Sequence, residues 1–380
     1  MTVSWSFPTR VLFGTGSIQQ LAAEVSALGR SRVLVVGDPG VEKAGLLDIV
    51  CDALEADTKI AVARFTDVAS NPEESHIEAG VVAYRAHSAD ILVAVGGGSP
   101  IDTAKLIAVR VEVSRPFEEL DDALGGDQYI PDTVPPVIAV PTTAGTGSEV
   151  GRAGVLTVTA TRRKTVVFSP HILPKVALLD PELTRGLPPH ITAATGFDAL
   201  THCYEAYVSK GDHPMADGIA LRGIELVIGA LETAVTDGTD MTARGDMMKA
   251  AMMGAVAFQK GLGACHSLAH PLSSECGLHH GLANALCLPV VVAFNESVAA
   301  DAHRRVGALF GDQDVGGDDL ATAMGKLRAK IGVTGTLKDH GVRRDQIETL
   351  ADLALADICH GSNPRVCTRE DFVAMYNTAY

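Results

Sequence analysis

The hydrophobic pattern of this chain changes period near residue 184, and that break limits the folds open to it. Upstream, short β-branched runs alternate with helix-like stretches, the grammar of parallel strands joined by crossover helices. Residues 32–37, 59–65, 90–95 and 137–141 read as buried strands bounded by Gly, Pro or Asp. Helices are expected at about 17–28, 40–54, 73–87 and 100–112. Downstream, long Ala-, Leu- and Met-rich segments carry a 3.6-residue period, so a helical domain follows. The two prolines after Gly186 and Leu187 make the natural joint, because they remove donors and force extended backbone. A chain of 380 residues exceeds what one core usually supports. The expected fold is therefore α/β plus all-α: a Rossmann-like parallel-sheet domain over 1–184 and a helical domain over 185–380.

Inside the helical half, four side chains suit one divalent metal: Asp198, His202, His266 and His280. Asp198 and His202 stand four apart in a run whose composition favours helix, so both project from one face. His266 opens a second such pair with His270, and the spacing alone does not say which of the two is the ligand. Thirteen histidines in the chain will also give some pairs by accident. Two pairs set among small and apolar residues make accident a poor account of both. One carboxylate with several neutral imidazoles fits Fe(II) or Zn(II) and not the all-oxygen shells of Mg or Ca.

In the first half, strand 90–95 runs into Gly96-Gly97-Gly98-Ser99-Pro100-Ile101-Asp102. A glycine triplet at a strand-to-helix junction exposes backbone N–H groups at a positive helix end, which is a diphosphate cradle. Ser99 is expected to cap the helix, with Asp102 as a capping-box-like carboxylate. A second stretch after strand 137–141 offers Thr142, Thr143, Thr146 and Ser148 for hydrogen bonds to a ribose or phosphate. Asp38, just past the first long strand, sits where a carboxylate accepts from a ribose hydroxyl and repels a 2′-phosphate. That favours NAD(H) over NADP(H).

Formal net charge is -15 with no basic run longer than Arg162-Arg163-Lys164, which argues against a nucleic-acid partner. The first ten residues lack the basic and apolar blocks of a secretion signal, and no stretch is expected to span a bilayer. A cytoplasmic protein with no membrane partner is expected. The seven cysteines include no Cys-x-x-Cys pair, so buried free thiols are expected.

Taken together, these segments resemble the iron-containing, or group III, alcohol dehydrogenases. The likeness lies in Gly96–Lys105, Pro141–Glu149, Gly196–Glu205, Gly261–Leu272 and His279–Ala285, and extends from Phe7 to the closing Asn363-Pro-Arg and Tyr376–Tyr380. It implies an amino-terminal dinucleotide domain, a helical metal-binding domain and a metal in the cleft between them. It further implies that Asp198, His202, His266 and His280 are the metal ligands and that His270 is a non-ligand histidine near the nicotinamide. Lys164 resembles the family's cofactor-contacting lysine, and Leu179 an apolar residue of the cofactor wall. Two positions depart from close relatives. Ala153 stands where members acting on lactaldehyde carry asparagine, and His279 replaces a frequent proline, so His279 and His280 compete for the last ligand role.

The residues and the resemblance agree on a reaction: hydride transfer between a nicotinamide and a small aliphatic alcohol or aldehyde, assisted by a Lewis-acidic metal, with His270 as candidate proton relay. Alternatives are a maleylacetate reductase, a glycerol dehydrogenase-like enzyme, or a dehydroquinate synthase-like lyase. The lyase would need a basic lining, and the metal segments carry little Lys or Arg beyond Lys260. A homodimer or larger even homo-oligomer is expected on symmetry grounds.

Overall fold

The computed structural model describes residues 7, 9–159, 163–311 and 318–380. The amino-terminal stretch weighed above as a secretion signal lies mostly outside these residues, as does Arg162 of the basic run. Packing divides the described chain into two compact units, one of 7–143 and 147–186, the other of 187–380 with the short segment 144–146.

The first unit is built on a six-stranded, all-parallel sheet in the order β1-β8-β5-β4-β2-β3. Its strands are β1 (Arg10–Phe13), β2 (Arg32–Val36), β3 (Ala61–Phe65), β4 (Ile91–Gly96), β5 (Val137–Pro141) and β8 (Val176–Leu179). A separate antiparallel hairpin is formed by β6 (Ala153–Val158) and β7 (Arg163–Phe168). Helices α1 (Leu21–Ala27), α2 (Pro39–Lys43), α3 (Leu46–Glu55), α4 (Glu74–His87) and α5 (Gly98–Glu112) connect the strands. Because side chains alternate along a strand, Val33 and Val35 bury against Leu21, Leu47 and Leu54 of α1 and α3. Leu34 and Val36 bury against Ile77 of α4 and Ile107 of α5 on the other face. Fully burying each such side chain is worth about 1.5–3 kcal/mol.

The expected 40–54 helix is broken in two at Gly45, whose φ of 75° is left-handed. The expected 17–28 helix opens instead as a 3-10 turn over Ser17–Gln20. β1, β8 and the hairpin were not expected.

From β2 the chain steps outward to β3, then returns to place β4 on the other side of β2. The carboxyl ends of β2 and β4 therefore flank the point where connections diverge, the place where open α/β sheets bind nucleotides.

The second unit is helical: α6 (Pro189–Val208), α7 (Pro214–Thr236), α8 (Met241–Ala257), α9 (Ala264–Cys276), α10 (His280–Ala308), α11 (Asp318–Lys330), α12 (Ile347–Ala356) and α13 (Arg369–Ala379). α6 is its axis, with every residue from Thr192 to Val208 buried. Contrary to the expectation that no segment would reach bilayer-spanning length, α10 is long and apolar enough by composition. It is a core helix, with Asn284, Asn295 and His303 buried among its neighbours. All seven cysteines are free thiols.

Candidate metal centre and nucleotide loops

α6 carries Asp198, His202 and Glu205 on one face, and the helix is crowded by its neighbours through glycine. A Cβ at Gly281 would fall 2.2 Å from the Ala194 carbonyl oxygen, and one at Gly254 would fall 2.9 Å from the His202 Cβ. Small residues at these crossings let α8 and α10 press onto the functional face of α6.

The side chains meet around the Asp198 carboxylate. His280 Nε2 lies 3.5 Å from Oδ1, His266 Nε2 lies 4.0 Å from Oδ1, and His202 Nδ1 lies 3.9 Å from Oδ2. Donors around a tetrahedral ion with bonds of ~2.0–2.2 Å stand about 3.3–3.6 Å apart, so the Asp198 separations lie within or a few tenths of an ångström beyond that range; Asp198, His202 and His266 form the tight group and His280 joins it through Asp198. His202 Nδ1 and His266 Nε2 are buried with no hydrogen-bond partner, a costly state for such groups unless a ligand is held there. Burial pushes His202 down to about 4 against the pull of Asp198, keeping its ring neutral as a metal ligand must be. The donor set and its orphaned nitrogens thus fit a divalent ion. His279, by contrast, is exposed at the N-cap of α10, and it is His280 that comes to Asp198.

Three supporting residues were missed in the sequence. Glu205 Oε2 accepts from His266 Nδ1 at 2.6 Å, and Oε1 accepts from the Cys265 N–H at 2.6 Å. The carboxylate thereby caps the α9 amino terminus and fixes the His266 proton on Nδ1, leaving Nε2 as the lone-pair nitrogen. Burial works against a charged His266, and Glu205 outweighs it, raising the ring's proton affinity. Asn284 donates to Asp198 Oδ1 at 2.7 Å. Asp357 Oδ2 lies 2.7 Å from His270 Nδ1. Glu205 stands three residues past His202 and seven past Asp198, a same-face spacing that would have flagged it. Asn284 likewise follows His280 by four.

In the first unit, Gly96 has a φ of 147° and a Cβ there would strike Pro100 Cγ at 2.6 Å, so glycine is required. Gly97 is the N-cap of α5 and Gly98 its first residue. The capping roles expected of Ser99 and Asp102 are not taken up. The helix starts before Ser99, whose hydroxyl donates to the Ser70 carbonyl, and Asp102 accepts from Ser148 Oγ at 2.5 Å and from the Val155 N–H. Ser148 also accepts from the fully buried Lys105, which donates to the Ser148 and Ala153 carbonyls as well. Asp102 and Ser148 therefore tie α5 to the following loop and hairpin. Thr142 is buried beside the triplet, its N–H donating to the Gly96 carbonyl, and the Thr143 hydroxyl faces Gly97. Thr146 is half-buried in the segment that packs with the helical unit. Asp38 follows β2 and caps α2 through the Val41 N–H. Lys164 is half-buried on β7, its ammonium destabilised by burial and partly sustained by Asp102. Leu179 is fully buried at the end of β8.

Two family models cover this geometry. Iron-containing alcohol dehydrogenase matches residues 8–181, and the carboxy-terminal model of the Fe-containing alcohol dehydrogenase family matches residues 192–380. The chain belongs to the iron-containing alcohol dehydrogenase family. Among curated members of that family it is 41% identical to a 4-hydroxybutyrate dehydrogenase of Cupriavidus necator, with 97% of each chain covered. It is 34% identical to a NAD-dependent methanol dehydrogenase of Bacillus methanolicus, covering 98% of this chain and 97% of the other. A solved 1,3-propanediol oxidoreductase of the family superposes with a TM-score of 0.95 at 34% identity, over 100% of both chains.

Proposed function

We propose that this family member is a metal-dependent, NAD(H)-linked alcohol dehydrogenase and aldehyde reductase for small aliphatic substrates, with Fe(II) as its resident ion and Zn(II) as the alternative. The observation that carries the reading is the cluster of buried Asp198, His202 and His266 with the half-buried His280, two of its imidazole nitrogens being orphaned. Those four residues would hold the ion, which when bound supplies Lewis acidity toward an alcohol or carbonyl oxygen. Glu205 and Asn284 orient the ligands, and the apolar bulk around α6 excludes water. Hydride exchange itself is nicotinamide chemistry, and the chain's part is to bind the diphosphate at Gly96, Gly97 and Gly98, with Thr142, Thr143, Thr146, Lys164 and Leu179 as our further candidates for cofactor contact. Asp38 supports NAD(H) over NADP(H), since a carboxylate repels a 2′-phosphate. His270, about one-third exposed beside the ligand rings, is our candidate to carry the substrate's hydroxyl proton. Free thiols support a cytoplasmic setting, and symmetry favours an even-numbered homo-oligomer.

The test is metal analysis after anaerobic purification, then a screen by NADH absorbance of short alcohols, diols, ω-hydroxy acids and their aldehydes, with Fe(II) or Zn(II) restored. Turnover with NAD and a single tightly held ion per chain is expected. A preference for NADPH would remove the Asp38 argument, and turnover undiminished after complete metal removal would overturn the reading.

A further inference from the structure

We propose that Asp357 is the positioning residue of His270, fixing the imidazole as the tautomer protonated on Nδ1 so that Nε2 is the nitrogen left to exchange a proton. Asp357 lies at the C-cap of α12, 87 residues from its partner in sequence. Its Oδ2 stands 2.7 Å from His270 Nδ1, while Oδ1 accepts from Ser267 Oγ at 2.8 Å and from the Cys359 N–H at 2.9 Å. Ser267 is held in turn, its hydroxyl oxygen accepting from the His360 N–H at 2.9 Å. Three donors thus converge on one carboxylate, and the aspartate cannot rotate away from the ring without breaking two other bonds.

The tautomer follows from the donor and acceptor inventory. An ionised carboxylate only accepts, so the ring nitrogen facing it must carry a proton, and a neutral imidazole then has its lone pair on the other nitrogen. Although burial favours its neutral form, the bond from His270 outweighs that and holds the Asp357 carboxyl well below the usual range, so the acceptor is charged. The His270 ring stacks on that of His280 at 5.4 Å between centroids and meets His266 edge-on at 5.9 Å, so its orientation is set on both sides. A carboxylate behind an imidazole in this manner selects one tautomer and orients the ring toward the reacting group.

The inference deepens the proton-carrying reading of His270, and the two fail separately. His270→Phe tests whether that ring matters to turnover. Asp357→Asn tests what sets the ring, because asparagine keeps an oxygen for Ser267 and Cys359 but presents an amide donor to Nδ1, forcing the ring proton onto Nε2. In enzyme labelled with 15N-histidine and loaded with diamagnetic Zn(II), long-range proton–nitrogen correlation reads the tautomer directly, with His270 assigned by its absence in His270→Phe. The expected result is Nδ1–H in the parent and Nε2–H in Asp357→Asn. The variant's kcat should fall about a hundred- to ten-thousandfold, with metal content and NADH binding by fluorescence unchanged. Ser267→Ala, which removes one brace, should keep the parent tautomer and lose only a few-fold in kcat. A parent ring protonated on Nε2 overturns the proposal even if the asparagine variant does not fold. So does an asparagine variant with inverted tautomer and undiminished kcat.

Discussion

Glu205 shows how much one side chain can carry. It satisfies a helix amino terminus and sets the proton of a metal ligand with the same carboxylate. Replacing it by glutamine keeps the size but offers a weaker, uncharged acceptor, and changes of this kind typically cost ten- to a hundredfold in metal affinity. Competition with a chelator should show that loss in Glu205→Gln, and unchanged affinity would reduce Glu205 to a helix cap. Glu149 gives a second prediction at this scale. Burial pushes its carboxyl up to about 7, with its own backbone N–H and Lys105 opposing. A carboxyl raised in the folded state binds its proton more tightly there than when unfolded. Its contribution is complete below about pH 4.5 and is lost as pH climbs to about 7, roughly 3 kcal/mol in all. Glu149→Gln, which mimics the protonated form, should match the parent in denaturant unfolding at pH 4.5 and exceed it at pH 8. Equal stabilities at both would refute the shift. Sequence spacing exposed Asp198, His202 and His266 because each stands in an i, i+4 pair. Asp357 had no such signal, since only the fold brings it to a residue 87 positions away.

Among the elements, the crossing of α10 on α6 sets the spacing of the centre. Gly281 follows His280 directly, and a methyl group there would overlap the Ala194 carbonyl and come 3.3 Å from the Asp198 Cβ. Backbone cannot yield as a flexible side chain can, so Gly281→Ala should cost about 1–3 kcal/mol and weaken metal retention by prising His280 from Asp198. Thermal unfolding with and without metal would measure both, and a stable variant with full metal content would show the crossing to be looser than drawn. The long, strongly patterned elements were legible in sequence: β2, β4, β5, α4 and α5 stand close to where β-branched runs and glycine junctions put them. β1 and β8 have only four residues each, too few to display a period. The Asp102 error has a similar origin, because its partner Ser148 arrives from another loop and outcompetes the local cap.

For the whole molecule, all four metal-facing residues belong to the helical unit, and the glycine triplet belongs to the other. A ligand that binds only the folded form stabilises the unit that holds it, by about 2.7 kcal/mol at a hundred times its Kd. Calorimetry should therefore show chelation lowering the transition of the helical unit and NADH raising that of the sheet unit, each more than its counterpart. A single transition displaced equally by both treatments would refute this assignment of each ligand to one unit. The strand order carries one more consequence. Among the described residues, β1 pairs with β8 alone, so residues 10–13 wait for residues 176–179. During translation on the ribosome that segment stays unmatched until residues 176–179 have emerged, so this edge of the sheet closes only after the strands between have been made.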